Sequence, residues 1–354
     1  VRMPNWYTSL EAVKRAVQAN GADKHAQLAR IIEAASRQVD KHTHRRYIPE
    51  TQTRVYRWPR RNNAPDLLWL DADLLSVTSL KSEAQNSSPT TIAAADYFLE
   101  PANYGPPYNR IEIDLSSSAA FQAGDTPQRS IEVVGSWGYG NTTKGAGTVS
   151  SGLASDAAAT SMVGSGGDLI DVGDPLLIQS EQLFVSDRSF AALGTILVND
   201  TGITADKADV SITVDAAHGV RAGEVIRLES EQMYVESVSG NVLTVIRAYN
   251  GTVLVSHADN TAVHINRTFT VERAVNGTTA ATHADATAVS KYVPPVDITG
   301  LCLAEAVAAY HQENSGWARQ VGAGENQAEF SGRDLQRLRK EVRESYCRHR
   351  SEAI

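Results

Sequence analysis

The residues best equipped for chemistry fall in three places. The first is the basic run His42-Thr43-His44-Arg45-Arg46, with Arg37, Lys41, Arg54, Arg57, Arg60 and Arg61 around it. A zinc ion on His42 and His44 would need two further ligands, and the neighbouring sequence offers none. Guanidinium groups at this density suit an acidic partner or phosphates. The alternative is a solvated helix end, where cations meet the negative pole of the helix. Arg37, Lys41, Arg45 and Arg46 are the candidate contacts to a partner or to DNA.

The second place is an internal repeat. Gly173, Asp174, Ser180, Glu181, Gln182, Phe184 and Val185 recur 50 residues later as Gly223, Glu224, Ser230, Glu231, Gln232, Tyr234 and Val235. A second block recurs at an offset of 26: Arg247-Ala248, Asn250-Gly251-Thr252 and His257-Ala258-Asp259 become Arg273-Ala274, Asn276-Gly277-Thr278 and His283-Ala284-Asp285. Gln232 and Arg247 are 15 residues apart, whereas Gln182 and Arg273 are 91 apart. The excess is about the length of one whole copy, so one module is inserted in a hairpin of the other, where insertion disturbs little. The expected outer module is 170–188 with 268–292, and the inner one is 209–266.

Asn-Gly in each copy signals a tight turn between strands. His257 and His283 invite a metal reading. Each copy supplies only one His and one Asp, so structural hydrogen bonding is expected instead. The repeated Ser-Glu-Gln reads as a polar strand edge rather than a carboxylate site.

The third place is the C-terminal helix. Leu335, Leu338, Val342 and Tyr346 lie at helical spacing beside Arg333, Arg337, Arg339, Lys340, Arg343, Arg348 and Arg350. An apolar stripe with a basic face suits docking on another protein. An intramolecular core helix has the same pattern. Leu335, Leu338, Arg339, Val342, Arg343, Tyr346 and Arg348 are the candidate docking residues. The Gly-rich stretch from Gly322 to Gly332 reads as the base of an extending arm.

Catalytic signatures are absent. The chain has no dinucleotide fingerprint, no Walker-type phosphate loop, no His-Glu-x-x-His and no Gly-x-Ser-x-Gly. The expectation is a protein that is not an enzyme, with no cofactor and no bound metal.

The elements that must position these groups divide the chain in three. Thr8 and Glu11 have capping-box spacing ahead of a short helix. A second helix carries Leu28, Ile31, Ile32, Ala35 and Val39 on one stripe. From Thr51 the period changes to two, and strands follow around Val55, at Leu67–Leu70, Leu74–Leu80, Tyr97–Leu99, Arg110–Ile113 and Ser130–Val134. Residues 140–167 are rich in Gly, Ser, Ala and Thr and read as a linker. The repeat region is strand-rich. After Pro294-Pro295 a helix returns with Cys302, Leu303, Ala306, Val307 and Tyr310, and Gly316 ends it. The expected fold is α+β: a mostly helical core, 1–140 with 293–354, bearing a small antiparallel sheet and an inserted all-β region at 141–292.

The length of 354 residues allows about two to three domains. The net charge is -8, with 17 acidic and 8 basic residues between Gly145 and Tyr292, leaving 24 acidic and 25 basic elsewhere. The acidity therefore belongs to the inserted region. No apolar run reaches membrane-spanning length; Leu301–Ala309 is short and carries Glu305. Val1-Arg2-Met3-Pro4 opens no apolar leader, so a cleaved secretion signal is not expected. Two cysteines, Cys302 and Cys347, make no disulfide scaffold, which fits a reduced cytoplasmic assembly site.

The two ends of the chain together resemble the head–tail connector proteins of long-tailed bacteriophages, also called adaptor or head-completion proteins. The resemblance rests on Ile32–Asp40 leading to Arg45-Arg46-Tyr47-Ile48-Pro49, then Leu68-Trp69-Leu70 and Leu74–Leu80. It continues through Asp96–Pro101 with Pro106-Pro107-Tyr108, Gly135-Ser136-Trp137-Gly138-Tyr139, and Pro294-Pro295-Val296-Asp297-Ile298. It covers about 200 residues, and it departs from the family where about 150 residues separate Tyr139 from Pro294. It implies a dodecameric ring seated on the portal protein, in the virion neck at the head–tail interface, assembled in the host cytoplasm. A stopper or tail-completion protein would bind below, and double-stranded DNA would pass through the centre. The C-terminal helix would clasp the portal, and the insertion would reach the capsid protein, the tail or a neighbouring subunit. No membrane partner is implied. A net-acidic subunit fits a conduit, since few phosphate contacts let DNA slide. The rival expectation is a virion-borne glycan or cell-surface binding protein acting through the inserted modules, whose aromatic residues are Phe184, Phe190, Tyr234, Tyr249, Phe269 and Tyr292.

Overall fold

The computed structural model describes residues 5–19, 21–59, 65–154, 156–216, 218–315, 320–321, 328–329 and 332–348. Val1–Pro4, Arg60, Arg61, Gly316, Arg350 and most of the Gly-rich stretch from Gly322 to Gly332 lie outside the described residues.

Two helices open the chain. Helix α1 spans Leu10–Ala16, and its N-cap is Ser9, whose hydroxyl accepts from the Ala12 amide. Glu11, expected to complete a capping box with Thr8, turns instead toward the inserted region. Helix α2 spans His25–Thr43 and buries Leu28, Ile31, Ile32, Ala35 and Val39 on one face. It ends where His44 adopts a left-handed conformation and its amide bonds the Asp40 carbonyl.

Six strands follow: β1 Glu50–Tyr56, β2 Leu67–Ser82, β3 Thr90–Ile92, β4 Tyr97–Glu100, β5 Tyr108–Ile113 and β6 Ile131–Trp137. They form one antiparallel sheet in the order β1-β6-β2-β5-β4, with β3 on β2. Leu67–Leu70 and Leu74–Leu80 are one strand, not two. Its ladder to β5 slips between Trp69 and Leu74, so Asp71-Ala72-Asp73 forms a bulge within the strand where the sequence suggests a turn. Leu68, Leu70, Leu74, Leu80, Ile111, Ile131, Val133 and Trp137 form the core beneath.

The inserted region contributes β7 Thr143–Ser151, β8 Ser161–Gly164, β9 Pro175–Ile178, β10 Glu181–Ile196, β11 Ser211–Thr213, β12 Val225–Leu228, β13 Glu231–Ser239, β14 Val242–Ile246, β15 Ala262–Glu272 and β16 Ala288–Tyr292. Their pairings trace two closed circuits. The outer one runs β10-β9-β16-β7-β8-β15 and returns to β10. The inner one runs β15-β12-β13-β14-β11 and closes through a bridge from Val214 to Leu197, just beyond β10. The two small barrels thus share the long strands β10 and β15. Each has its own core, Met162, Leu176, Leu183 and Phe269 in the outer barrel and Ile226, Met233, Val245 and Ile265 in the inner.

Residues 140–167 are therefore not a linker. They supply β7 and β8, with Ala146, Val149, Leu153 and Met162 fully buried. A narrow barrel interior accepts small side chains, so a composition poor in large apolar residues still makes strands.

The chain ends on α3 Val296–Asn314, a short ladder of β17 Gln320–Val321 with β18 Ala328–Glu329, and α4 Gly332–Tyr346. Helix α3 packs on α2 and buries Ile298, Leu301, Cys302, Glu305 and Ala306.

The expected mostly helical core with a small sheet is not what forms. Among the described residues four α-helices, one of only seven residues, accompany an antiparallel sheet of six strands and one of ten. Period-two patterning dominates from Glu50 to Tyr292, and the helices fill only the flanks. Nor do the helices pack only on one another. Their cluster includes Val172 and Phe184 of the outer barrel, and Trp6 meets Phe184 edge-on at 5.4 Å. Gly173 permits this contact: its φ is +101°, and a Cβ there would lie 2.2 Å from the Trp6 ring.

Candidate functional site

The basic run sits where four segments meet. Helix α2 places Arg37, Asp40 and Lys41 on its last turns, and the turn after it carries His44, Arg45 and Arg46. Glu50 and Arg54 come from β1, Asp71 and Asp73 from the bulge of β2, Trp137-Gly138 from the end of β6, and Arg348 from the residues after α4. Together they line an open recess of about 450 Å³. Six cations, Arg37, Lys41, Arg45, Arg46, Arg54 and Arg348, face four carboxylates, Asp40, Glu50, Asp71 and Asp73, a net charge of +2 before His44 is counted.

The carboxylates are already engaged. Asp40 meets Arg37 Nη1 at 2.7 Å and Arg46 Nη1 at 3.1 Å, and it accepts from the Tyr7 hydroxyl. Burial pushes its carboxyl up to about 6 against the pull of Arg37, Tyr7 and Arg46. Asp73 accepts from Arg45 at 2.9 Å and lies 3.7 Å from Arg348 Nε. Burial raises its carboxyl despite both cations, and burial likewise lowers Arg348 despite Asp73. Asp71 is held at 2.9 Å by Arg54 and 2.6 Å by the Tyr56 hydroxyl; burial would raise it, but these bonds bring it below its ordinary value. The cations also stack, Arg45 over Tyr139 at 5.0 Å and Arg54 over Trp137 at 4.7 Å. Nε of Arg37, Arg45 and Arg54 and Nη1 of Arg348 are buried without a hydrogen-bond acceptor among the described residues, and Arg37 Nη1, Arg46 Nη1 and Asp40 Oδ2 meet one another only as ion pairs, without hydrogen bonds.

The structure thus brings Arg37, Lys41, Arg45 and Arg46 together and adds Arg348 from the docking set. The rest of that set divides. Arg339 is bidentate to buried Glu305, Val342 is buried, and the Tyr346 hydroxyl donates to Asp297 at 3.1 Å. Leu335 and Leu338 are half-buried beside Ala304, Val307 and Ala308 of α3. Arg343 is exposed. Much of the α4 stripe therefore serves packing within the chain.

The repeat residues do not make a polar edge. Glu181 and Glu231 are both fully buried, and each is the hub of one barrel. Glu231 accepts from Arg247 Nε and Nη2 at 2.7 and 2.8 Å, from the Ala248 and Val255 amides at 2.9 and 3.2 Å, and contacts His257 Nε2 at 3.0 Å. Glu181 repeats every bond with Arg273, Ala274, Ala281 and His283, at 2.6, 2.6, 3.1, 3.0 and 2.8 Å. Burial alone would raise these carboxyls, but the bonds outweigh it and hold both at about 2. His257 and His283 are buried in this hydrogen bonding. Among the described residues no group of three or more His, Cys, Asp or Glu is placed to hold a metal.

Sequence reasoning missed Asp40, Asp73, Trp137 and the hubs. For the hubs a signal existed: Glu, Arg and His recur together at both offsets, as residues that act as one unit would. For Asp73 and Trp137 none did, because their relation to the basic run is set by the sheet.

The inserted aromatics form no exposed platform. Phe184 and Phe269 are buried, Tyr234 and Tyr249 pack together against α1, and Arg227 lies 5.0 Å over Phe190.

No known protein family, curated protein or solved structure matches the chain.

Proposed function

We propose that this chain is a structural subunit of a bacteriophage head–tail junction: an adaptor that forms a ring, dodecameric as in the family it resembles, between portal and stopper or tail proteins. DNA passes through the ring. The observation that carries the reading is the convergence of the segments on which the resemblance rests. Tyr47, Tyr139 and Tyr346 stack on one another at 5.4, 6.2 and 5.6 Å, and Tyr346 bonds Asp297 at the start of α3. Segments hundreds of residues apart meet at one point, beside the basic recess.

The recess is then a contact point for a neighbouring protein, and the acidic barrels project from the helical flank. The test is the mass of the purified full chain, alone and mixed with portal protein. A ring or a portal complex is expected. A monomer that ignores portal contradicts the reading.

A further inference from the structure

We propose that the recess between α2, the β2 bulge and Arg348 is a binding site for carboxylate side chains of an acidic protein segment. The inference deepens the proposed function and rests on it for the source of that segment.

The argument begins with donors. Asp71 and Asp73 are hydrogen-bonded to cations, Glu50 to the Asn5 and Gln52 side-chain amides, and Asp40 Oδ2 meets Arg37 Nη1 and Arg46 Nη1 as an ion pair without a hydrogen bond; beyond these contacts, buried N–H groups on Arg37, Arg45, Arg54 and Arg348 have no acceptor among the described residues. An unsatisfied buried donor is costly, and an acceptor with charge relieves it best. Lys41 stands exposed at the rim and joins no ion pair among the described residues. The net charge of the lining attracts anions.

The class of anion follows from shape and sign. The unmatched donors are recessed, so a slender side chain can approach them more closely than the broad surface of a duplex. Asp40, Glu50, Asp71 and Asp73 stand among the cations and would repel a densely charged phosphate backbone. A carboxylate carries one charge and two acceptor oxygens, which matches separated single N–H donors. Asp40, Asp71 and Asp73 also hold the guanidinium groups in place, so ordering them on binding costs little.

The experiment uses the full chain with a hexaglutamate peptide as probe, and a 20-base-pair duplex and inorganic phosphate as rivals. Lys41→Glu alters rim charge without touching an internal pair. Arg54→Lys keeps the charge beside Asp71 but removes Nε. Hexaglutamate should bind, and each variant should weaken it by roughly tenfold, the worth of one charge-assisted bond, with unchanged circular dichroism. Absent binding, binding by both variants as tight as by the native chain, tighter binding of the duplex at matched salt, or displacement by equimolar phosphate each overturns the inference. A ring that forms but ignores the peptide defeats this inference alone. A monomer that binds the peptide defeats the ring alone.

Discussion

The two barrels are copies of one design, yet they hold the N-terminal segment in different ways. Each presents the same face to it. In the outer barrel Phe184 packs on Trp6, Asn276 exchanges hydrogen bonds with Asn5 at 3.0 and 2.9 Å, and Gly277 lies so near Thr51 that a Cβ would meet its carbonyl oxygen at 2.1 Å. In the inner barrel the equivalent residues meet α1. Arg15 lies 4.7 Å over Tyr234, Lys14 donates to Asn250, and the Tyr249 hydroxyl donates to Glu11. The outer contact joins aromatic rings and neutral amides; the inner one is charged, with Arg15 half-exposed. Identical turns, held by the same Asn-to-Gln bond in each copy, thus serve as two kinds of joint. What differs is the chain they meet, not the module.

The hubs should show the largest effects. Removing one partner of a buried, bonded ion pair costs about 3–5 kcal/mol, so Glu181→Ala and Glu231→Ala should each lose that much in urea unfolding. They should differ in reach. Loss of the outer hub frees the turn that holds Asn5, so hydrogen exchange should rise at residues 5–10. Loss of the inner hub should leave those amides protected.

The joints come next. Phe184 is 1% exposed, and Phe184→Ala should cost about 3–5 kcal/mol. Tyr234→Ala, at the matching position, should cost about 1 kcal/mol, because its cation contact is partly solvated. Equal costs would erase the distinction between the joints.

Acid should act on both barrels together. Each hub carboxyl sits at about 2 against an ordinary 4.5. A lowered value contributes stability in full above the ordinary one and loses it as pH falls from about 4.5 toward about 2. Circular dichroism across this window should show a single transition, since β10 and β15 belong to both barrels. Two separated transitions would show that the shared strands do not couple them.

The smallest effect is expected where the copies differ beside the histidine. His257 Nδ1 meets Glu229 at 2.8 Å, whereas His283 Nδ1 meets Gln179 at 3.3 Å. Glu229 is 63% exposed, so Glu229→Gln should change thermal stability by less than about 1 kcal/mol.

What the sequence made legible follows the range of each interaction. The α2 stripe is a local pattern and could be read directly, whereas each Asn-Gly, expected as a tight turn between strands, lies in a short 3-10 turn that opens a long connection to the next strand. The repeat offsets also pointed to one copy lying within the other, because 15 against 91 residues between equivalent positions is arithmetic. Burial of small residues in β7 and β8 left no comparable mark, since Gly, Ser and Thr look alike in a loop and in a narrow barrel. The bulge at Asp71-Ala72-Asp73 hid a continuous strand. The basic half of the recess was visible as a run, but its walls were not. Asp73, Trp137 and Arg348 reach Arg45 only through the sheet and the return of α4.

The central claim is that the convergent ends of this chain build a ring subunit. Native mass measurement of the purified chain, with and without portal protein, tests it most directly. A closed ring, or a defined complex with portal, is the predicted result. A stable monomer that leaves portal unbound would contradict it.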